Sequence, residues 1–344
     1  MTLLWIDGFE GYGTGNGNPV SPANVFTRRY AYAVYGTWYC TLAPGRISGW
    51  AIQAGNASWA IQTPNLTTDS TLIAGIGFQP MNATGPVITF YDGTQRGVWL
   101  QYNPSSSSTE LQVYRDSTLL GTTSGAGLAF GTWAYVELKV LCNASSGSVA
   151  VHVNGSTVLT LSGQNTKAGA DNYHNNVGLS IAAGFTPLFD DLYVCDSTGS
   201  LNHDFLGNVK VVAIFPDANG DVNAWTGSGG SAHYTYVDEN PVDDDTAYVE
   251  SATSGQEELW DYATASVSAV LGVQVNTDCR VTDVTTFTLD TQIKSSGTDS
   301  SDAGQAVTST NYVTKMRISQ TDPATSNPWT PTAVSAAQFG VKVG

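Results

Sequence analysis

The stretch Phe189-Asp-Asp-Leu-Tyr-Val194 sets two carboxylates side by side in a segment that otherwise reads as a β-strand. Neighbouring carboxylates can share a proton, hold a divalent cation or flank a sugar bond for acid–base hydrolysis. In a strand, however, successive side chains leave on opposite faces. Asp190 should therefore keep company with Leu192 and Val194, and Asp191 with Phe189 and Tyr193. That geometry argues against one catalytic pair. It predicts that one aspartate bonds backbone amides near the N-terminal Asp7-Gly-Phe-Glu10 segment, while the other meets solvent or a rim ion.

The remaining chemistry-bearing residues are scattered. Glu137, in Trp133-Ala-Tyr-Val-Glu-Leu-Lys-Val140, is a candidate catalytic acid, although no E-x-D-x-x-E spacing surrounds it, and a solvent-facing pairing with Lys139 is the plainer expectation. Asp217, Asn219, Asp221 and Asn223 repeat the alternate-oxygen spacing of a calcium loop. The glycine falls too early for such a loop, and Ser228 stands where a bidentate glutamate is needed, so a hairpin turn is expected. Asp243, Asp244 and Asp245 crowd three like charges, which need water or a shared cation, in the second case one bridging to a neighbouring subunit. His152 lies in a hairpin strand, and His174, His203 and His233 in polar loops. None stands beside a G-x-S-x-G motif, and no P-loop, dinucleotide fingerprint or H-E-x-x-H motif occurs. No cofactor is required by this set; calcium is the ion it would suit.

The elements that must position these groups are short and β-like. Only 12% of the 344 residues are charged, Gly, Ser, Thr and Asn abound, and no long 3.6-residue periodicity occurs. In Ser148–Leu161, Val149, Val151 and Val153 alternate with small or polar residues ahead of Asn154-Gly155, the two-residue hairpin signal. The segment Pro331–Gly340 is the best helical candidate, at one or two turns. With 29 acidic against 13 basic residues the net charge is −16, which repels a phosphate backbone and excludes nucleic acid as an expected partner. No window approaches the roughly 18 apolar residues of a membrane span, and the N-terminus lacks a basic leader, so synthesis in a cytoplasm without a signal peptide is expected. Cys40, Cys142, Cys195 and Cys279 are far apart and read as buried free thiols.

The order of the segments carries more. The Asp7-Gly-Phe-Glu10 start, the Gly45–Gln53 strand, Trp133–Val140, Val151–Leu161 and the closing Phe189–Val194 strand together resemble the concanavalin A-like (laminin-G-like) β-sandwich, in which the first and last strands lie side by side. The resemblance implies an all-β jelly-roll sandwich over residues 1–203, followed by a second, smaller β-sandwich over 204–344. Seven basic and 11 acidic residues before position 203 give −4, and 6 against 18 after it give −12.

Nearly the whole chain resembles uncharacterised virion proteins of tailed bacteriophages, through Phe205–Val211, Val237–Tyr248 and Asp322–Val343. That resemblance implies a non-enzymatic structural protein on the virion exterior, as capsid decoration or as a tail appendage or fibre. Its expected partners are capsid or tail subunits, further copies of itself, as a trimer for instance, and a host-surface glycan. The alternatives are a host-glycan receptor-recognition protein and a polysaccharide depolymerase. The expected contact surface is the basic, aromatic stretch Arg28, Arg29, Tyr30, Tyr32, Tyr35, Trp38 and Tyr39, whose rings have an apolar face and, in most cases, a polar handle.

Overall fold

The computed structural model describes residues 2–15, 26–34, 40–54, 59–81, 83–104, 109–181, 184–230, 232–283, 285–302 and 304–344. The chain divides into two compact units, Met1–Val211 and Val212–Gly344.

The first unit contains β1 (Leu3–Asp7), α1 (Phe26–Arg29), β2 (Tyr32–Val34), β3 (Cys40–Pro44), β4 (Trp50–Ala54), β5 (Trp59–Gln62), β6 (Thr71–Gln79), β7 (Gly85–Asp92), β8 (Gln95–Pro104), β9 (Thr109–Arg115), β10 (Thr118–Thr122), β11 (Ala134–Leu141), β12 (Gly147–Val153), β13 (Ser156–Gln164), β14 (Asn176–Ile181) and β15 (Leu188–Asp196). One sheet runs β13-β12-β11-β6-β15-β4-β3, with β1 also pairing β15; the other runs β10-β9-β8-β7-β14-β5-β2. Every pairing in both is antiparallel.

Period-two patterning explains the layers. Val153, Val151 and Val149 stand opposite Val136, Leu138 and Val140, which stand opposite Ile76, Ala74 and Leu72, and all nine are buried. The other sheet supplies Leu100 opposite Val113 and Tyr102 opposite Leu111. Phe78 of β6 meets Tyr102 of β8 with ring centroids 5.7 Å apart, so the two inner faces form one core. Each fully buried aliphatic side chain of this kind contributes roughly 1.5–3 kcal/mol. Asn154 and Gly155 take positive φ values of 50° and 77°, as a tight primed turn between β12 and β13 requires. β1 lies against β15, Asp7 opposite Leu192 and Ile6 opposite Tyr193. The architecture is the concanavalin A-like sandwich that the strand order implies.

β15 departs from simple alternation. Its pairing with β6 moves from Asp190 opposite Gly77 to Tyr193 opposite Gly75, so three residues advance against two, and Asp191 takes the left-handed conformation at φ 52°. This bulge puts Asp190 on the same face as Tyr193, not on that of Leu192 and Val194.

The second unit contains β16 (Pro216–Asn223), β17 (Thr226–Gly227), β18 (Val249–Glu250), β19 (Glu257–Tyr262), β20 (Val273–Cys279), β21 (Phe287–Ser295), β22 (Thr298–Ser301), β23 (Gln305–Val307), β24 (Val313–Ser319), α2 (Pro331–Ala336) and β25 (Gln338–Val343). Its main sheet runs β16-β19-β25-β21-β22 with β23 on β21, beside the pairs β17-β18 and β20-β24. Trp329, Val334, Ala337 and Phe339 pack with Val275 and Ile293, while Trp260, Leu289 and Val341 form a second cluster with Val281 and Val307. Helix α2 is short, as its sequence predicts: Pro331 opens it, and Thr330 caps it by accepting from the Ala333 amide at 3.1 Å.

Candidate functional site

The outer face of the larger sheet of the first unit gathers ionisable groups that would ordinarily face water. Asp190 and Asp191 are both buried there. The Arg46 amide donates to Asp190 Oδ2 at 2.7 Å, and the Asp191 amide to Asp190 Oδ1 at 2.8 Å. Asp191 Oδ2 accepts from Arg46 Nε at 2.8 Å, with Nη2 also at 2.8 Å, and Asp191 Oδ1 accepts from the Val211 amide at 2.7 Å. The guanidinium lies 4.9 Å from the Tyr135 ring centre and donates to Asn208 and to the Val209 carbonyl. The expectation that the two aspartates point apart is therefore corrected: the bulge turns both toward Arg46. Neither reaches solvent, and a guanidinium stands where a rim ion was expected.

One arginine cannot balance every acid in this cluster. Burial, then the neighbouring Asp191, raises Asp190 well above the usual carboxylate range, and burial raises Asp191. Glu10, from the N-terminal segment, is pushed up to about 9, first by burial and then by Asp190, so it holds its proton at neutral pH. Asp7 binds its own segment rather than β15: it accepts from the Phe9 amide at 2.9 Å, the Tyr12 hydroxyl at 2.5 Å and the Tyr30 hydroxyl at 2.7 Å.

Glu137 lies in the same layer. A cross-strand row places His152, Glu137, Gly75 and Tyr193 side by side on β12, β11, β6 and β15. Gly75 is required at its place in the row, since a Cβ there would lie 2.3 Å from the Tyr193 ring and 2.8 Å from that of Tyr135. Glu137 is 0% exposed, and its Oε1 accepts from the Tyr193 hydroxyl at 2.5 Å and the Gly207 amide at 2.8 Å. It is not the solvent-facing partner of Lys139, which instead binds Asp204 at 2.9 Å.

The segment 204–211 forms a strap over this face. Besides Gly207, Asn208, Val209 and Val211, the Leu206 amide donates to the Tyr193 hydroxyl at 3.1 Å, Lys210 donates to Ser48 at 2.5 Å, and Phe205 stacks on His152 at 3.8 Å. The sequence boundary after residue 203 places this strap in the second domain; its bonds put it in the first unit.

The expected contact stretch divides. Arg29 and Tyr30 face inward: Arg29 lies 3.4 Å from Asp7, and the Tyr30 ring packs 5.2 Å from Trp5. Both are therefore corrected from surface to core. Arg28 is half-buried and Tyr32 is 51% exposed. Tyr35, Trp38 and Tyr39 lie outside the described residues.

Members of both acidic stretches of the second unit are bound within that unit. Asp217, Asn219, Asp221 and Asn223 occupy alternate, exposed positions along β16, where the expected hairpin turn is replaced by a strand paired with β19. Asn219 accepts from the Tyr234 amide at 3.0 Å, Asp221 pairs with Lys294 at 3.0 Å, and Asn223 donates to the Gly220 carbonyl at 2.8 Å. Asp243 accepts from the Ala247 amide, and Asp244 takes a left-handed turn conformation. Asp245 binds Arg280 at 2.7 Å and the Tyr312 hydroxyl at 2.9 Å. Among the described residues, no group of three or more His, Cys, Asp or Glu side chains is arranged to hold a metal ion.

All four cysteines are free thiols; three are buried and Cys279 is half-buried. His174 lies in the loop ahead of β14, as expected, but is buried there, and His233, in a short 3-10 turn over His233–Tyr236, is held by the buried Glu258 at 2.8 Å. Sequence reasoning passed over Arg46, Tyr193, Tyr135 and Glu258, which complete these buried polar sites from distant parts of the chain.

No protein-family model and no curated protein matches the chain. Among solved structures it is similar to an endo-β-1,4-glucuronan lyase from the fungus Trichoderma reesei, at 11% identity over 52% of this chain and 93% of that one, with a TM-score of 0.35. It is also similar to an endo-1,3-β-glucanase from Streptomyces sioyaensis (13% identity, 56% and 95% covered, TM-score 0.34) and to basic winged bean lectin (13%, 45% and 89%, TM-score 0.32).

Proposed function

We propose that the chain is a structural protein of the exterior of a tailed-phage virion, as capsid decoration or tail appendage, whose work is adhesive and which cleaves no glycan. The burial of Glu137 supports this reading most directly. A glycosidase acid must reach the bridging oxygen of its substrate, and its partner carboxylate must reach the anomeric carbon or a water. Glu137 is sealed beneath Gly207 and Tyr193, and Asp190 and Asp191 are bonded to Arg46 and to backbone amides. These carboxylates hold the sandwich and its strap together.

The segments that carry the virion resemblance fit a scaffold. Phe205–Val211 is the strap. Asp322 closes a turn by accepting from the Ala324 amide at 3.0 Å, Trp329 is buried, and Thr330 caps α2 ahead of β25. Rigid β-modules repeated by virion symmetry multiply weak contacts, with capsid or tail subunits and with further copies of the chain. Immunogold labelling of intact virions tests the reading. Particles decorated at capsid or tail are expected; unlabelled particles beside a freely soluble protein in the lysate would overturn it.

A second reading, recognition of a host-surface glycan, is favoured by one row of the smaller sheet. Tyr32, Gln62, Gly178, Thr89, Trp99, Tyr114 and Leu119 stand opposite one another across its strands, with Tyr32 and Leu119 about half exposed at its two sides. Loss of host-cell binding on Tyr32→Ala would support it.

A further inference from the structure

The hairpin that carries His152 extends the Glu137 row by one more residue, and the extension has the form of a nucleophile relay. Glu137, His152 and Thr157 are successive cross-strand partners on β11, β12 and β13, so the three side chains leave the same face in one line. The Thr157 hydroxyl lies 2.9 Å from His152 Nε2, and Glu137 Oε2 lies 3.8 Å from His152 Nδ1. Oε2 is buried and makes no hydrogen bond, while Oε1 is fixed by Tyr193 and Gly207. Exposure rises along the line, from the fully buried glutamate through a histidine 21% exposed to an exposed threonine. A carboxylate on the Nδ1 side favours the Nδ1–H tautomer and leaves Nε2 to accept from the hydroxyl. Phe205, stacked on the imidazole at 3.8 Å, holds the plane of the ring.

The geometry points to Thr157 as an acyl-accepting nucleophile, with His152 as its general base and Glu137 as the residue that positions the imidazole. This goes beyond the adhesive reading and does not depend on it. The substrate class is an activated or surface-exposed ester, such as an O-acetyl group. Thr157 Oγ1 attacks the ester carbonyl and passes its proton to His152 Nε2. The tetrahedral intermediate collapses by breaking the bond to the alcohol oxygen, which leaves with that proton, and an acyl-threonine remains. A water, deprotonated by His152, then releases the carboxylic acid and restores the hydroxyl.

The test uses the full chain with p-nitrophenyl acetate, followed by p-nitrophenolate release and by mapping of the acetyl group by mass spectrometry. The expected result is one acetyl group on Thr157 and a release rate that falls by about 10²-fold or more in His152→Ala. Thr157→Val, a good strand former at an exposed position, should fold and lose the adduct, while Thr157→Ser should retain it. Glu137→Gln should slow release as a fall in kcat at unchanged KM, a split that loss of packing alone would not produce. Release by Thr157→Val at the rate of the unaltered chain, or acetylation confined to other residues, would overturn the assignment.

Discussion

Arg46 Nε lies 2.8 Å from Asp191 Oδ2, and the same arginine's amide lies 2.7 Å from Asp190 Oδ2, so one residue answers both aspartates of the closing strand. The pair that invites a cation is supplied with one from within the chain. Because the guanidinium also reaches Asn208 and Val209, it pins the strap as well as the strand.

Removing that charge should be costly. Arg46→Met leaves the Asp191 carboxylate buried with the Val211 backbone amide still donating to it but no counter-charge, and loss of one partner of a buried pair costs about 3–5 kcal/mol. Urea unfolding should show a fall of that size. The double variant with Asp191→Asn should regain part of it, because no charge is then stranded. Equal stability of Arg46→Met and the unaltered chain would show that the strap does not depend on this pair.

Glu10 gives the first unit an alkaline weakness. Its carboxyl is raised from 4.5 to about 9, so the folded state holds a proton that the unfolded chain releases. Its contribution is fully present below about pH 4.5 and is lost as pH rises through 9. Glu10→Gln keeps the neutral shape without the titration. In that variant, thermal melts across this range should show a flatter decline than in the unaltered chain. Parallel curves for the two proteins would remove Glu10 as the cause.

His174 works in the opposite direction. It is buried against Phe90 and Gly97, neither ring nitrogen has a hydrogen-bond partner, and burial lowers it from 6.5 to about 4. The unfolded chain takes up a proton that the folded one refuses. Stability is therefore full above pH 6.5 and falls as the pH drops through 4, by up to about 3 kcal/mol for a shift of this size. His174→Phe should fold and lose that slope. Should the slope between pH 6.5 and 4 persist unchanged in the variant, other groups must set it.

The fold was more legible than the site, and particular residues show why. Alternating Val149, Val151 and Val153 before Asn154-Gly155 is local information, and it specifies the hairpin that forms. The bulge at Asp191 is invisible to a period-two rule, which assumes an unbroken ladder. Arg46 stands 145 residues before its partner Asp191, and nothing in its own neighbourhood announces the pairing. Thr157 next to His152 was readable in principle, because an Asn-Gly turn fixes which residues of a hairpin face each other.

The basic, aromatic stretch that composition marks as one contact surface should split by experiment into core and surface halves. Tyr30→Phe removes a hydroxyl that donates to the buried Asp7 at 2.7 Å, a hydrogen bond to an acidic group worth about 1.5–3 kcal/mol. Tyr32→Ala, at a position 51% exposed, should cost within about 0.5 kcal/mol. If the stretch contacts a partner, Tyr32→Ala should weaken that binding at unchanged stability, whereas Tyr30→Phe should lower stability and leave the affinity of the folded fraction alone. Urea melts of both variants, run beside a pull-down of the proposed virion partners, separate the two halves. A Tyr32→Ala variant as destabilised as Tyr30→Phe would place Tyr32 in the core beside Tyr30.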